Sequence, residues 1–349
     1  MRIGLVADTF SVEKGTGIAR YSAELLAGLP KWEIDSQSLD LSPPKLPFGE
    51  VINHAIRMPY LISKRAGDLE LLHATSPICA LGFPFIRKTK KIVTYHDLTS
   101  LLCQDISSAF HTRLFAPLFL QIGRFADRII ADSSQTKEEM IAHLGISGDK
   151  ITVVNLGVDD KFTPMEKRAK SHYTIGYVGA LNRRKRLDYL LRAFHLLKSN
   201  SNVPARLAIC GSMQLEYTNL VKLIDRLGLS DDVEFRGFVA EKTLVETYNS
   251  FDIFVLPSEW EGFGLPILEA QRCGIPVIIR EGTHIPREVS AACLKAKSEQ
   301  DMANKIYQLL TDLDLKSQVT GKGLEYSRRF TWERTVRETA SVYEETICA

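Results

Sequence analysis

The sequence predicts an α/β protein made of two doubly wound domains with parallel sheets. Short β-branched apolar runs alternate with helix-period segments along the chain, and each run ends in a Gly, Ser or Asp turn. This alternation is typical of βα units. It begins again after a polar segment near the middle of the chain, and the length of 349 residues is enough for two domains.

Composition and charge exclude several classes of protein. With 45% hydrophobic and 25% charged residues, the chain is neither disordered nor fibrous. Its 44 Lys and Arg nearly balance its 42 Asp and Glu, so we expect no nucleic-acid partner. No apolar run is long enough to span a bilayer, and residues 1–8 meet an acid too early for a secretory signal, which predicts a cytoplasmic protein. Six widely spaced cysteines without a Cys-x-x-Cys pair favour buried thiols over a zinc site or disulfides.

Five apolar runs in the first half are predicted strands: residues 2–7, 69–74, 91–95, 128–131 and 151–155. Helices are expected to start near Gly17, near Ser108 and at Ser134, where Ser133 can cap the first turn. The polar, proline-containing residues 163–171 lack periodicity, and we interpret them as a linker.

The second half repeats the pattern, with predicted strands at residues 174–178, 206–210, 233–237, 253–257 and 276–280. The helix after the first of them is clear from one apolar stripe: Leu187, Leu190, Leu191, Phe194 and Leu197. We therefore predict a first domain over residues 1–165 and a second over residues 172–330. Residues 331–347 are expected to form a helix that crosses back onto the first domain. Ligands should bind at the carboxyl ends of the strands.

Residues 256–270 carry the strongest local signal. They combine a strand end, a loop with two glycines, and a helix with proline in its first turn. Such a helix N-terminus offers N–H groups to an anion. Glu261 in the loop and Glu269 about one turn into the helix could hold the hydroxyls of a sugar and a ribose. The alternative, a loop acid and a solvated helix acid, is disfavoured by the glycines and the proline between them.

This segment resembles the signature of the family-4 retaining glycosyltransferases of the GT-B fold, in which two such glutamates enclose Gly-Phe-Gly-Leu-Pro. Shorter pieces in the family's order extend the resemblance over nearly the whole chain: Thr16-Gly17-Ile18-Ala19-Arg20-Tyr21, Tyr95-His96-Asp97-Leu98, Asp132-Ser133-Ser134, Asn155-Leu156-Gly157-Val158-Asp159, Tyr177-Val178-Gly179 and Phe330-Thr331-Trp332-Glu333. The resemblance implies two Rossmann-like domains facing each other across a cleft.

The resemblance also implies roles for individual residues. The second domain would bind a nucleotide-diphosphate sugar and the first the acceptor, in a retaining reaction without a metal. Glu269 would bind the ribose, while Glu261 and His96 would contact the transferred sugar. The remaining donor contacts would come from the backbone N–H groups of Gly262, Phe263 and Gly264 at the sugar, from Leu265 and Gly17 at the diphosphate, and from Phe238 and Val239 at the base. For His96, the alternative is a satisfied, half-buried histidine.

A basic run, residues 183–186, is predicted to open a helix after the strand at 174–178. Fixed cations can stabilise a diphosphate leaving group much as a metal would. By the resemblance, Lys185 occupies the diphosphate-binding lysine position. The chain has Ala180 where many members have Arg, so Arg183 or Arg184 would replace that guanidinium, and we expect Arg184 to do so. If they are surface cations, replacing these residues should change the stability of the protein little. The alternative to diphosphate binding is that the run forms a solvated face without function.

The first domain also holds a basic and apolar stretch. Residues 54–91 contain seven basic and two acidic side chains beside the apolar pieces 58–62 and 83–86. Such a mixture suits an anionic membrane surface, here the inner face, or a lipid-diphosphate acceptor. A solvated face explains it equally well.

The sequence therefore predicts a metal-independent hexosyltransferase without a cofactor that acts on a surface-glycan or lipid-linked acceptor. The chain is similar to bacterial and archaeal mannosyltransferases in combining the motifs Thr-Gly-Ile-x-Arg-Tyr, His-Asp-Leu and an Arg-Lys turn. This similarity favours GDP-mannose over a UDP-sugar as donor. A sugar-nucleotide 2-epimerase of the same fold is one alternative. A non-enzymatic two-domain sugar-binding protein is another, although such proteins normally carry a secretion signal. A dinucleotide oxidoreductase is disfavoured because no Gly-x-Gly-x-x-Gly follows either first strand.

Overall fold

The structure is a computed structural model that describes residues 1–11, 17–40, 57–103, 119–166, 171–212 and 217–349. The chain forms two compact units: Met1–Gly157 with Phe330–Ala349, and Val158–Arg329. Each unit contains a parallel sheet with six strands in the described ranges. The predicted fold class, α/β with two Rossmann-like domains, is confirmed. The helix expected near Ser108 lies outside the described residues.

The first unit has the strand order β2-β1-β3-β4-β5-β6, and neighbouring strands run parallel. Its strands are β1 Arg2–Ala7, β2 Asp35–Asp40, β3 Leu71–Ala74, β4 Lys90–Tyr95, β5 Arg128–Ala131 and β6 Ile151–Val153. Its described helices are α1 Gly17–Gly28, α2 Met58–Ala66, α3 Thr99–Leu102, α4 Ser134–Leu144 and the C-terminal helix Trp332–Cys348. The hydroxyl of Ser133 accepts a hydrogen bond from the Thr136 N–H, so the predicted cap of α4 is present.

The second unit has the strand order β12-β11-β10-β7-β8-β9, again with parallel neighbours. Its strands are β7 Tyr173–Val178, β8 Ala205–Cys210, β9 Val233–Gly237, β10 Ile253–Leu256, β11 Val277–Arg280 and β12 Leu294–Ala296. Its helices in the described ranges are α5 Leu187–Asn200, α6 Tyr217–Leu227, α7 Leu244–Asn249, α8 Leu265–Arg272, α9 Arg287–Ser290, α10 Glu299–Thr311 and α11 Leu313–Ser327. The predicted apolar stripe of α5 is buried.

Two strands were missed by the sequence prediction, and both lie at sheet edges. In β2 only Leu39 is buried, because the strand reads Asp-Ser-Gln-Ser-Leu-Asp. In β12 the strand is three residues long, and only Ala296 is buried. β2 is mostly polar and β12 is short, so neither has the apolar run by which strands are recognised.

The boundary between the units falls after Gly157, before the segment 163–171 that was interpreted as the linker. Residues 158–162, which precede that segment, therefore belong to the second unit. Asp160 forms an ion pair with Arg272 at 2.6 Å, and the buried ring of Phe162 packs edge-on against Tyr248. Residues 167–170 of the expected linker lie outside the described ranges. All six cysteines are free thiols; three are buried, but Cys348 is exposed, so the expectation of buried thiols was wrong there.

A buried histidine ties the C-terminal helix to the sheet of the first unit. His73 Nδ1 lies 2.6 Å from the hydroxyl of Tyr343 on that helix, and its Nε2 lies 2.8 Å from Thr94 Oγ1. Both partners are hydroxyls, which can donate or accept, so a neutral imidazole is fully satisfied. Burial lowers the pKa of His73 to about 3.

We predict that His73 makes folding sensitive to mild acid. Unfolding returns its pKa to about 6.5, so between that value and about 3 the unfolded chain binds more protons than the folded one. The stability linked to a neutral His73 is complete above about pH 6.5 and is lost as the pH falls, by up to about 1.4 kcal/mol per pH unit. The free energy of unfolding, measured with urea at several pH values between about 7 and 5, should fall less steeply with falling pH for His73→Gln than for the wild type. The same pH dependence of the free energy of unfolding in both proteins would contradict this role of His73.

Candidate active site

Most of the predicted site residues of the second unit lie on the segments that follow β7 and β10. These two strands are neighbours, and the chain proceeds from β7 toward one edge and from β10 toward the other. The carboxyl ends of two such strands form a topological switch point, where α/β proteins bind ligands. Residues 179–186 follow β7 and residues 257–264 follow β10, so both loops start at this point.

A buried ion pair connects the two loops. The Lys185 Nζ atom donates to both carboxylate oxygens of Glu261, at 2.6 and 2.7 Å, and both side chains are buried. Arg184 Nη1 lies 3.7 Å from Glu261 Oε2 and donates to the carbonyl of Trp260 at 2.8 Å. Two cations therefore surround one anion, and the cluster carries a net positive charge.

Glu261 stays ionised despite its burial. Burial alone would raise its pKa, but the charges of Lys185 and Arg184 and the hydrogen bonds from Lys185 outweigh this effect and lower the pKa. A carboxylate held in this state can accept hydrogen bonds from a ligand's hydroxyl groups.

The basic run does not open a helix, so that prediction was wrong. Arg183–Lys185 form a short 3-10 turn, and Arg186 adopts the left-handed conformation with φ of 48° before α5 begins. In a helix, Arg184 and Lys185 would point about 100° apart. In the observed turn both side chains reach the loop after β10, and the Arg184 carbonyl accepts from the Glu259 N–H. Arg183 is exposed, and Lys185 is not the surface cation that was expected.

The loop that carries Glu261 is also held from its other side. The Glu261 N–H donates to the His284 carbonyl at 2.9 Å, and the His284 N–H donates to the Glu259 carbonyl at 2.8 Å. The rings of Trp260 and His284 stack with centroids 4.0 Å apart. Backbone and side chains together fix the loop around Glu261.

The glycine-rich part of the loop leads into α8 as predicted. Gly264 has φ of +100°, a conformation that favours glycine, and it directly precedes Leu265, the first residue of α8. Phe263 is buried, while Gly262 is partly exposed. The glycine therefore turns the chain sharply into a helix N-terminus next to Glu261.

Glu269, on α8, is buried and has a partner that the sequence did not reveal. The Tyr248 hydroxyl donates to Glu269 Oε2 at 2.7 Å. Tyr248 itself is fully buried. No motif or spacing links the two residues, so only the fold identifies this contact.

The predicted base-binding residues lie at the end of β9, the edge strand. The side chain of Phe238 is 73% exposed, and Val239 is partly buried. Their exposure leaves an aromatic face accessible at the carboxyl edge of the sheet.

In the first unit, His96 follows β4 and is engaged at both ring nitrogens. Its Nδ1 lies 2.6 Å from Asp132 Oδ2, and its Nε2 lies 2.9 Å from the Thr75 carbonyl oxygen. A carboxylate and a carbonyl oxygen at its two nitrogens suit a protonated imidazole, which donates from both. Burial would lower the pKa of His96, but the Asp132 carboxylate outweighs it and raises the pKa. Gly17 is exposed at the start of α1. The contact of His96 with the donor sugar stays a prediction.

Two Rossmann-like units, one with charged side chains at its switch point, define a nucleotide-binding class of α/β protein. Residues 159–324 match the family model described as Glycosyl transferases group 1, and residues 16–162 match Glycosyltransferase Family 4. The chain belongs to this family of GT-B glycosyltransferases, as the sequence resemblance predicted.

Curated relatives are also glycosyltransferases. The chain is 30% identical over 246 residues to a D-inositol 3-phosphate glycosyltransferase of Streptomyces bingchenggensis, a match that covers 64% of this chain and 54% of the relative. It is 27% identical over 271 residues to O-antigen chain mannosyltransferase B of Escherichia coli, covering 74% of this chain and 71% of the relative. The chain thus aligns with about half of the first relative's length.

Solved structures share the fold over nearly the whole chain. Sucrose-phosphate synthase from Thermosynechococcus elongatus superposes with a TM-score of 0.81 at 18% identity, covering 99% of this chain and 98% of that one. Anabaena HepE, in complex with UDP and glucose, superposes with a TM-score of 0.75 at 18% identity, covering 99% and 100%.

Among the residues that the structure describes, no group of three or more His, Cys, Asp or Glu side chains is placed to hold a metal ion. Nor does any helix in that part of the chain have the length and apolarity to cross a membrane.

We predict that Lys185 is needed for folding as well as for the site. Lys185→Ala leaves Glu261 buried without the ammonium group that contacts both of its carboxylate oxygens, and breaking a buried ion pair costs about 3–5 kcal/mol. The exposed Arg183→Ala is the matched control and should stay within about 0.5 kcal/mol of the wild type. Urea unfolding measures both changes, and equal stabilities of the two variants would show that the ion pair contributes nothing.

Proposed function

We propose that this protein is a retaining, metal-independent hexosyltransferase that moves a sugar from a nucleotide-diphosphate donor to a glycan or lipid-linked acceptor. One observation carries the proposal: in a chain of the glycosyltransferase family, the switch point of the second unit brings the buried Lys185 and Glu261 together with the partly buried Arg184 in one cluster of net positive charge. Such a cluster suits a diphosphate.

The chemistry of transfer explains the need for this charge. The bond between the sugar C1 and the diphosphate oxygen breaks while a bond from C1 to the acceptor oxygen forms. The leaving diphosphate gains negative charge and takes up the proton that the acceptor hydroxyl gives up. Preorganised cations away from water stabilise such a charge far better than exposed ones. In the proposal, Lys185 and Arg184 fulfil this role.

The glutamates bind the rest of the donor in this proposal. The ionised carboxylate of Glu261 accepts hydrogen bonds from the transferred sugar, and that of Glu269 accepts them from the ribose. The exposed ring of Phe238 offers a face on which the base can stack. The backbone of Gly262, Phe263 and Gly264 leads to the α8 N-terminus, where negative charge is favoured.

The relatives guide the choice of donor and acceptor. The Escherichia coli relative is named as an O-antigen chain mannosyltransferase, which supports mannose as the sugar and a glycan as the acceptor. The Anabaena structure contains UDP and glucose, which keeps a UDP-sugar as the second donor. Relatives named as D-inositol 3-phosphate glycosyltransferases make this phosphorylated polyol a further acceptor to test.

We predict that, of a panel of nucleotide sugars, GDP-mannose is the donor from which the protein releases nucleoside diphosphate. Excess EDTA should leave the rate of this release unchanged. The transferred sugar should keep its anomeric configuration in NMR spectra of the product. Glu269→Ala should mainly raise the donor KM, by about 10- to 100-fold, whereas Glu261→Ala should mainly lower kcat.

Each part of this proposal can fail separately. If no donor releases nucleotide with any acceptor, the enzyme proposal is wrong. A rate that EDTA abolishes and Mg²⁺ or Mn²⁺ restores would refute metal independence. Conversion of the donor's own sugar with little nucleotide release would identify a 2-epimerase instead.

We also propose that the first unit contacts an anionic membrane face or a lipid-linked acceptor. Tyr60 on α2 is 60% exposed and Phe85 is 72% exposed. Their segments pack together, because a Cβ at Gly82 would lie 3.2 Å from the Cα of Pro59. Four exposed basic side chains belong to the same two segments: Lys64, Arg65, Arg87 and Lys88. Aromatic side chains flanked by cations are typical of surfaces that bind anionic lipid.

We predict that the wild type sediments with phosphatidylcholine vesicles that contain phosphatidylglycerol, and less with phosphatidylcholine alone. Replacing Tyr60 and Phe85 together by Ser should remove most of this binding, because the buried aromatic area is lost. Tyr307→Ser, which changes an exposed tyrosine of the second unit, is the matched control. Equal sedimentation of all three proteins would contradict the proposed membrane surface.

A further inference from the structure

The hydroxyl of Tyr248 is placed to orient one of the two glutamates of the site. It donates to Glu269 Oε2 at 2.7 Å, and both residues are buried. We infer that Tyr248 is a positioning residue that makes the site select ribose, by holding the Glu269 carboxylate in the orientation that the ribose hydroxyls require. This inference rests on the proposed function, in which Glu269 binds the donor ribose.

The burial of Glu269 explains why orientation matters. A carboxylate removed from water must direct its lone pairs at fixed donors, because an unsatisfied buried acceptor is costly. Tyr248 occupies part of the acceptor capacity at Oε2. With Oε2 tied to the protein, the plane of the carboxylate is set before the donor arrives.

Tyr248 can hold this orientation because its ring is immobilised. Three aromatic rings contact it edge-on, with centroid distances of 5.9 Å to Phe162, 6.2 Å to Phe251 and 5.6 Å to Phe254. Next to it on α7, the Asn249 side chain donates to the Thr163 carbonyl and accepts from the Met165 N–H. These contacts fix the short helix, and with it the position of the hydroxyl.

The hydroxyl also keeps its proton. Burial and then the negative charge of Glu269 raise the pKa of Tyr248 well above its ordinary value. Tyr248 therefore acts as a donor at any physiological pH, and Glu269 Oε2 acts as the acceptor. A phenylalanine at position 248 would fill the same space and remove only this hydrogen bond.

The test compares the affinities of GDP and 2′-deoxy-GDP by titration calorimetry, without any turnover. The wild type should prefer GDP by at least about tenfold, because a site that hydrogen-bonds a hydroxyl discriminates against a ligand that lacks it. Tyr248→Phe should lose most of this preference through weaker GDP binding, with little change for the deoxynucleotide. Glu269→Gln should lose the preference as well.

Tyr326→Phe is the matched control, since the Tyr326 hydroxyl donates to the Glu288 carbonyl elsewhere in the same unit. It should keep the wild-type preference. Urea unfolding first establishes that each variant is folded. As a second readout, Tyr248→Phe should raise the KM for a ribonucleotide donor about tenfold while kcat stays within about threefold of the wild type.

The outcomes separate the inference from the function on which it rests. If Tyr248→Phe keeps the wild-type preference and Glu269→Gln loses it, the role of Tyr248 is wrong and the ribose-binding role of Glu269 stands. If Glu269→Gln also keeps the full preference, ribose is not bound by Glu269 and both statements fail.

Discussion

The buried ion pair between Lys185 and Glu261 is the interaction on which the site of the second unit depends. Removing either charge leaves the other buried without its partner, which is costly because a buried ion has lost its hydration. The ion pair therefore couples the position of the loop after β7 to that of the loop after β10. The two strand ends that form the switch point are thus linked through side-chain charge.

In the proposed function, the same pair prepares the site for an anionic ligand. Glu261 neutralises Lys185, and Arg184 supplies the excess positive charge. A diphosphate that bound at Lys185 would compete with Glu261 for the ammonium group. In the proposed function, Lys185 and Arg184 then bind the phosphates, and the carboxylate oxygens of Glu261 become available to the sugar hydroxyls. Glu261 would then act both as a placeholder for the diphosphate and as a sugar ligand.

The sequence predicted those parts of the fold that depend on burial. Apolar runs marked the interior strands, the edge strands β6 and β9 and the stripe of α5, whereas β2 was missed because it is mostly polar and β12 because it has only three residues. The basic run illustrates a second limit. No property of an arginine predicts the left-handed conformation of Arg186, yet this conformation ends the turn that brings Arg184 and Lys185 to Glu261.

The site could be predicted as a set of residues but not as a set of contacts. The glutamates and Lys185 were identified from motif and position, since glycines, proline and charged groups have recognisable roles at strand ends. Pairings such as Tyr248 with Glu269 or His96 with Asp132 join residues 21 and 36 positions apart. They depend on how the elements pack, which local sequence does not encode.

Binding of GDP to Glu261→Gln tests most directly whether Glu261 and the diphosphate compete for Lys185. The amide keeps the shape of the side chain but removes the charge that competes for Lys185. Calorimetric titration should give a GDP affinity about tenfold tighter than that of the wild type, because a negative charge next to the phosphates is gone. An affinity equal to or weaker than that of the wild type would contradict the account.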